Sequence, residues 1–258
     1  MAVDHDTRIR LLLAQDEIQR GKMMIAVGEM AAGAAHEMNN PLAVISGRSQ
    51  LLASQLTDPK LKHSATQISD QSHRLSEIIT ELMEFAKPEP AKPAEIDLAE
   101  LMDRAMHDAK QHNDLADRKV EVTMGDVPPV IVDAEQVSLA LSAILENALN
   151  ATDAEKGLIS IHAAYDQYSQ RVVLSIADNG VGMDEHTLKH AFDPFFSSRP
   201  AGRRRGMGLA KAMRWVESSG GSIRLESRQG QGTRSVILLP AVTVDMPVRN
   251  AGESKGIV

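Results

Sequence analysis

The residues best suited to chemistry near the start of the chain stand in Ala35-His36-Glu37-Met38-Asn39-Asn40-Pro41-Leu42. His36 lies two residues from both Ala34 and Met38, members of a recurring apolar series, so on a helix it faces away from that series and into solvent. A solvent-facing imidazole can act as a nucleophile, and Glu37 beside it could orient the ring and accept its proton. Pro41 removes one intrahelical hydrogen bond and is expected to kink the helix just after this site. A lone histidine on a helix surface is more often only a solvated side chain. What singles out His36 is the pattern His-Glu-x-x-Asn-Pro-Leu around it.

Further along, four segments pair chemistry with spacing. In Leu145-Glu146-Asn147-Ala148-Leu149-Asn150-Ala151, Asn147 and Asn150 are three residues apart and share a helix face. An Asn oxygen is a hard, neutral ligand suited to Mg²⁺ already bridged to phosphates, although two asparagines on an amphipathic helix are ordinary by themselves. In Asp178-Asn179-Gly180-Val181-Gly182-Met183, a carboxylate at a strand end can accept a hydrogen bond from an adenine amino group. The two glycines would let backbone pass close to the base, though the same residues also make good turn chemistry. Phe192-Asp193-Pro194-Phe195-Phe196-Ser197-Ser198-Arg199 packs three of the four phenylalanines into five positions, as hinges anchoring a mobile lid would require. Finally, Arg203, Arg204 and Arg205 precede Gly206-Met207-Gly208-Leu209-Ala210, where glycines opening a helix expose backbone N–H groups to anions.

The elements that must position these residues fall into two groups. Val27, Ala31, Ala34, Met38, Leu42, Ile45, Leu52 and Leu56 recur at helical steps, and after a break at Thr57-Asp58-Pro59 a second seam follows in Ile68, Leu75, Ile78 or Ile79, Leu82 and Phe85. Such a helical hairpin has too thin a seam for a stable monomer, and dimerisation into a four-helix bundle is the economical solution. Three prolines in Pro88-Glu89-Pro90-Ala91-Lys92-Pro93 then read as a linker. Beyond it, helices are expected over 98–113, 136–154 and 207–218, and strands over 119–123, 130–132, 159–163, 172–177, 222–227 and 233–239. Residues 179–205 read as one long loop. Strands and helices segregate more than they alternate, which favours an α+β two-layer sandwich. The expected organisation is a helical lead-in over 1–22, the hairpin over 23–87, a linker over 88–95, the sandwich domain over 96–241 and a flexible tail over 242–258.

Composition narrows the setting. Of 258 residues, 43% are apolar, so a core of ordinary size is within reach, and aromatics at 3% leave it to Leu, Ile, Val, Met and Ala. The absence of cysteine excludes disulfides and thiolate metal sites. A formal net charge of −7 argues against a nucleic-acid partner held by a broad basic surface. With no apolar run long enough to span a bilayer and no secretory signal, no membrane insertion of this chain is expected. A cytoplasmic setting follows, and the chain could still be the cytosolic part of a longer receptor.

The His-Glu-x-x-Asn-Pro-Leu pattern on the first helix of a hairpin, covering about 28–85, resembles the dimerisation and phospho-acceptor domain of two-component sensor histidine kinases. The four later segments, in this order and closing on Gly220-Gly221-Ser222-Ile223 and Gly230-Gln231-Gly232-Thr233, resemble the ATP-binding domain of the same family over about 96–240. The resemblance implies autophosphorylation from ATP on His36, with Glu37 as base and Asn40 orienting water for a phosphatase reaction. It implies Asp178 reading adenine, supported by Gly180, Gly182 and Thr233, and Asn147 holding Mg²⁺. Asn150, Arg199, Arg205, Gly206 and Gly208 complete the implied nucleotide contacts. A homodimer and a response-regulator receiver domain, whose aspartate takes the phosphoryl group, are the implied partners.

Two positions depart from the family pattern. Ala143 stands where a second Asn is frequent, and Arg204 where the last glycine box often begins with Gly. A related chaperone- or gyrase-like ATPase would place a water-activating Glu at position 143, which Ala143 cannot replace. A dimeric scaffold that binds nucleotide without transferring phosphate is the remaining alternative.

Overall fold

The computed structural model describes residues 36–112, 118–153, 155–198 and 206–243, and the chain divides into two compact units meeting between Pro90 and Ala91. The expected lead-in and most of the expected tail lie outside the described residues.

The first unit is a helical hairpin. Helix α1 covers residues 36–55 and runs unbroken through Pro41, and α2 spans Pro59–Ala86. The turn is set by Asp58, whose carboxylate accepts from Lys60 N at 2.8 Å and Leu61 N at 3.4 Å, with Pro59 in the first helical turn. Those backbone donors have no intrahelical partner, and proline gives up none there, so the sequence both stops α1 and starts α2.

What lies between the helices differs from the apolar seam expected. The buried positions are Ser46, Ser49, Ala65, Ser69, Ser72, Ile79, Phe85 and Ala86, whereas Met38, Ile45, Leu52, Ile68 and Leu75 are each 44–51% exposed. Small side chains let the helices approach, and their hydroxyls satisfy one another: Ser46 Oγ lies 3.0 Å from Ser69 Oγ and 2.9 Å from His73 Nε2, and Gln50 donates to Ser69 Oγ at 3.2 Å. Of the predicted seam, Ile79 and Phe85 are buried as expected and Leu42, Leu56 and Leu82 are partly buried, while Met38, Ile45, Leu52, Ile68 and Leu75 face outward.

The second unit is the expected two-layer α+β sandwich. Its sheet has the order β2-β4-β5-β7-β6, formed by β2 (Lys119–Met124), β4 (Leu158–Asp166), β5 (Arg171–Asp178), β7 (Thr233–Pro240) and β6 (Ser222–Ser227). Only β2 and β4 run parallel, joined by a crossover through α4 (Ala134–Ala151). Alternate residues of the central strands turn inward: Ile159 and Ile161, Leu174 and Ile176, Ile237 and Leu239 are all buried. They meet Leu98, Leu101 and Met102 of α3 (Leu98–His112), Leu141 and Ile144 of α4, and Ala212 and Val216 of α6 (Gly208–Ser218).

Two short elements depart from the sequence reading. Ala94–Ile96 forms strand β1, antiparallel to β3 (Val130–Val132), where a linker was expected through residue 95. Lys92 N also donates to Asp133 Oδ2 at 2.7 Å, so the chain is already tied to this unit before β1 begins. Asp133 is buried, which pushes its carboxyl up, but backbone donors from Gln136, Lys92 and Glu135 outweigh this and hold it below the usual range. The second addition is α5 (Glu185–His190), inside the segment read as one loop; Asp184 caps it by accepting from Thr187 N at 2.7 Å.

Candidate nucleotide site and phospho-acceptor

In the second unit the site grows from the end of β5. Asp178 is the last residue of that central strand, and its register partner Thr233 is the first of β7. Asp178 Oδ1 accepts from Gly180 N at 2.8 Å and Thr233 N at 3.3 Å. Its Oδ2 has no hydrogen-bond partner among the described residues and remains available to a donor. Burial raises the carboxyl above its ordinary value despite the two N–H donors.

The loop after Asp178 is fixed from both sides. Asn179 Oδ1 accepts from Leu158 N at 2.8 Å and its Nδ2 donates to Lys156 O at 3.0 Å. Val181 N donates to Ala151 O at 3.0 Å, Gly230 N to Val181 O at 2.7 Å, and Met183 N to Ser227 Oγ at 2.9 Å. Glycine is required here by the protein's own backbone. A Cβ on Gly180 would strike Ala151 O and come within 2.8 Å of Asp178 Oδ1; one on Gly182 (φ +63°) would strike Arg228 O. Gly232, at φ +83°, packs directly against Asp178 O. Each glycine lets one strand end lie against another, and the sum holds the Asp178 carboxylate in place.

Sequence reasoning gave no role to Gly232 or Ser227. Ser227 Oγ accepts from Met183 N, donates to Gly232 O at 2.9 Å and lies 2.9 Å from Thr233 Oγ1, so it joins the loop to the β6–β7 turn. Nothing local in a Glu-Ser-Arg stretch signals that role, since it depends on a loop more than forty residues earlier.

Helix α4 forms one wall. Ala151 at its C-terminus touches Gly180, and Ala143, two turns earlier, lies 3.8 Å from where a Cβ on Gly208 would sit. Ala143, Asn147 and Ala151 are four residues apart, on one stripe, so Asn147 stands midway along about 12 Å of helix between the Asp178 loop and the start of α6. Asn147 is half-buried; Asn150 turns its amide back to Glu146 O on its own helix. Helix α6 opens after Met207 with no side-chain cap, leaving its first backbone N–H groups for an anion. Gly206 (φ +70°) precedes it, seated under the backbone of Phe195 and Phe196. The structure therefore brings Asp178, Gly180 and Thr233 into direct contact, sets Gly182 against Arg228 and Gly232 beside them, and links them through α4 to Gly208. Arg199 and Arg205, with Arg203 and Arg204, lie outside the described residues.

His36, Glu37 and Asn40 belong to the other unit, and all three are exposed on α1. Among the described residues no helix is long and apolar enough to cross a membrane.

Two family models match this chain, in the order the two units take. Residues 26–91 match the His Kinase A (phospho-acceptor) domain, and residues 132–243 match the histidine kinase-, DNA gyrase B- and HSP90-like ATPase. The chain is a two-component histidine kinase core. Similar proteins include the sensor histidine kinase ZraS of Escherichia coli O157:H7, 30% identical over 230 residues that make up 88% of this chain and 49% of that protein. The signal transduction histidine-protein kinase AtoS of Escherichia coli K12 is 31% identical over 236 residues, 89% of this chain and 38% of its own. The core thus spans about half or less of the length of these curated relatives. Among solved structures, full-length ShkA in complex with AMPPNP aligns with 86% of this chain and 47% of its own at a TM-score of 0.63 and 22% identity. The histidine kinase ThkA in complex with the response regulator TrrA aligns with 88% of this chain and 66% of its own at a TM-score of 0.58 and 24% identity. Those two likenesses are of fold. The ATPase-type domain makes the second unit of this core an ATP-binding unit.

Proposed function

We propose that this kinase core transfers the γ-phosphoryl group of ATP to His36 and from there to an aspartate of a response-regulator receiver domain. The observation that carries this reading is one chain holding an exposed histidine within its phospho-acceptor domain and, in the next unit, a half-buried carboxylate with one oxygen left unpaired among the described residues. Asp178 Oδ2 would accept from the adenine amino group, while Thr233 and the glycine-bound loop keep the carboxylate aimed. The uncapped start of α6 at Gly208 and Gly206 would receive phosphate oxygens, joined by Arg199 and Arg205. Asn147, with a neutral amide oxygen on the same wall, fits a magnesium ion shared with phosphates, and Asn150 lies beside it. Bound Mg²⁺ would neutralise phosphate charge.

At the acceptor, one nitrogen of His36 attacks phosphorus while Glu37 takes the proton from the other, and ADP leaves with the electron pair of the broken bond. Positioning and electrostatics supply most of the rate. Asn40, one helical turn on, would orient a water that attacks the phosphorylated aspartate of the partner regulator, releasing phosphate, when the protein acts as a phosphatase. The outward apolar row of Met38, Ile45, Leu52, Ile68 and Leu75 supports a homodimer, since an isolated hairpin would leave it in water. The cytoplasm, where ATP is available, is the compartment this reading requires. Ala143 disfavours the hydrolase alternative, because a methyl group beside Gly208 offers water no base.

The test is incubation with γ-labelled ATP and Mg²⁺, comparing wild type with His36→Ala. Acid-labile, alkali-stable label present in the first and absent from the second is expected. Nucleotide binding without label in either protein would refute transfer and leave the scaffold reading. Label persisting in the variant would move the acceptor elsewhere.

A further inference from the structure

Helix α5 carries a feature that the nucleotide chemistry does not use. His186 and His190 are four residues apart, so both rings rise from one face of the helix, with centroids 4.7 Å apart. Asp193, just beyond the helix, holds His190 Nδ1 at 2.6 Å from its Oδ2. A carboxylate only accepts, so Nδ1 carries the proton of that bond and the lone pair of the neutral ring falls on Nε2. That is how a carboxylate prepares a histidine to ligate a metal, by fixing its tautomer and ring orientation. Phe196 packs against both rings, at 5.9 Å from His186 and 5.5 Å from His190, and limits their rotation. Asp184 and Glu185 add negative charge at the other end of α5.

We propose that His186 and His190 bind a late first-row divalent cation, of which Zn²⁺ is the representative, with Asp193 as the positioning residue for His190. Imidazole pairs four residues apart on a helix suit such ions, and two neutral nitrogen ligands distinguish this site from an oxygen site for Mg²⁺. Among the described residues no group of three or more His, Asp or Glu side chains converges on one point, so the protein supplies two ligands and water completes the coordination. The site touches the turn that carries Phe195 and Phe196, whose backbone seats Gly206 at the start of α6.

The experiment is calorimetric titration of the nucleotide-free, Mg²⁺-free protein with Zn²⁺ at neutral pH. The full chain is compared with His186→Asn, His190→Asn, Asp193→Asn and, as a control far from α5, His162→Asn on the exposed face of β4. One ion per chain is expected in wild type and in His162→Asn. Both α5 histidine variants should lose it, and Asp193→Asn should weaken it by about 10-fold or more. All four side chains lie at or near the surface, and melting temperatures confirm that each variant is folded. Equal binding in wild type and the two α5 variants, or equal loss in His162→Asn, would overturn the assignment. Because neither ATP nor phosphotransfer enters the assay, failure of the kinase reading would leave this result standing.

Discussion

Replacing Asp178 by Asn tests the nucleotide site with little change in shape. The Asn carbonyl oxygen can stay in the place of Oδ1, keeping the 2.8 Å and 3.3 Å bonds from Gly180 N and Thr233 N. The amide nitrogen then replaces Oδ2 and, in the proposed adenine contact, would turn a donor toward the donor of the adenine amino group. Losing one hydrogen bond to a charged group is worth about 1.5–3 kcal/mol, so ATP-analogue affinity should fall roughly 10- to 150-fold. Stability should not follow. Burial raises the Asp178 carboxyl, so the folded state holds its proton more tightly than the unfolded chain. The stability linked to that proton is fully present below the ordinary aspartate value and lost as pH rises through the raised one, so at neutral pH a neutral amide there costs nothing by comparison. Titration calorimetry with a non-hydrolysable ATP analogue, alongside a melting curve, checks both halves. Affinity within about threefold of wild type in a folded Asp178→Asn protein would refute the adenine contact. The same linkage predicts that wild-type nucleotide binding declines on acidification at a higher pH than an ordinary aspartate would set, and that the Asn variant lacks this decline.

Two further substitutions probe the architecture. Gly232→Ala meets both a left-handed backbone (φ +83°) and the Asp178 carbonyl, while Gly230→Ala has a similar φ of +78° with nothing within 4 Å of the added carbon. Gly232→Ala should therefore cost about 2 kcal/mol or more and lower the melting temperature by roughly 4–8 °C, and Gly230→Ala should cost clearly less; equal losses would mean that strain, not contact, sets the requirement. Leu52→Glu combined with Leu75→Glu places charge on the outward face of the hairpin, where each side chain is 50% exposed. Light scattering should show the dimer dissociating while ATP-analogue affinity stays unchanged, and an unaffected dimer would remove that face from the interface.

Much of the second unit is readable from period and composition, because its elements are long and their inward residues strongly apolar. Leu141, Ile144 and Leu145 on α4 or Ile159 and Ile161 on β4 leave little choice of face. The misses have physical causes. Strand β1 is three residues long with two of them exposed, too short to carry a period. Helix α5 is a six-residue helix held by Asp184 in a polar segment, and no apolar stripe announces it. In the hairpin, hydropathy marks Leu52 and Leu75 as interior and Ser46 and Ser69 as surface. The observed hairpin inverts this, because hydroxyls that bond to one another can be buried and small side chains let the helices close. At the site, Asp178 and its two glycines stand out in the sequence as chemistry and Gly232 lies in a glycine-marked closing turn, whereas Ser227 acts through tertiary contact and carries no local mark.

The span of α4 between Ala143 and Ala151 has a consequence for what kinds of change this unit tolerates. Each end of that span is in contact with a different part of the site, Gly208 at one and Gly180 at the other. Deleting or inserting one residue between them would turn everything beyond it by about 100° and slide it by about 1.5 Å. Asn147 would leave the wall, or Ala151 would lose the loop, and no side-chain exchange could restore both. This stretch is therefore a fixed-length spacer, closed to any change in the number of residues.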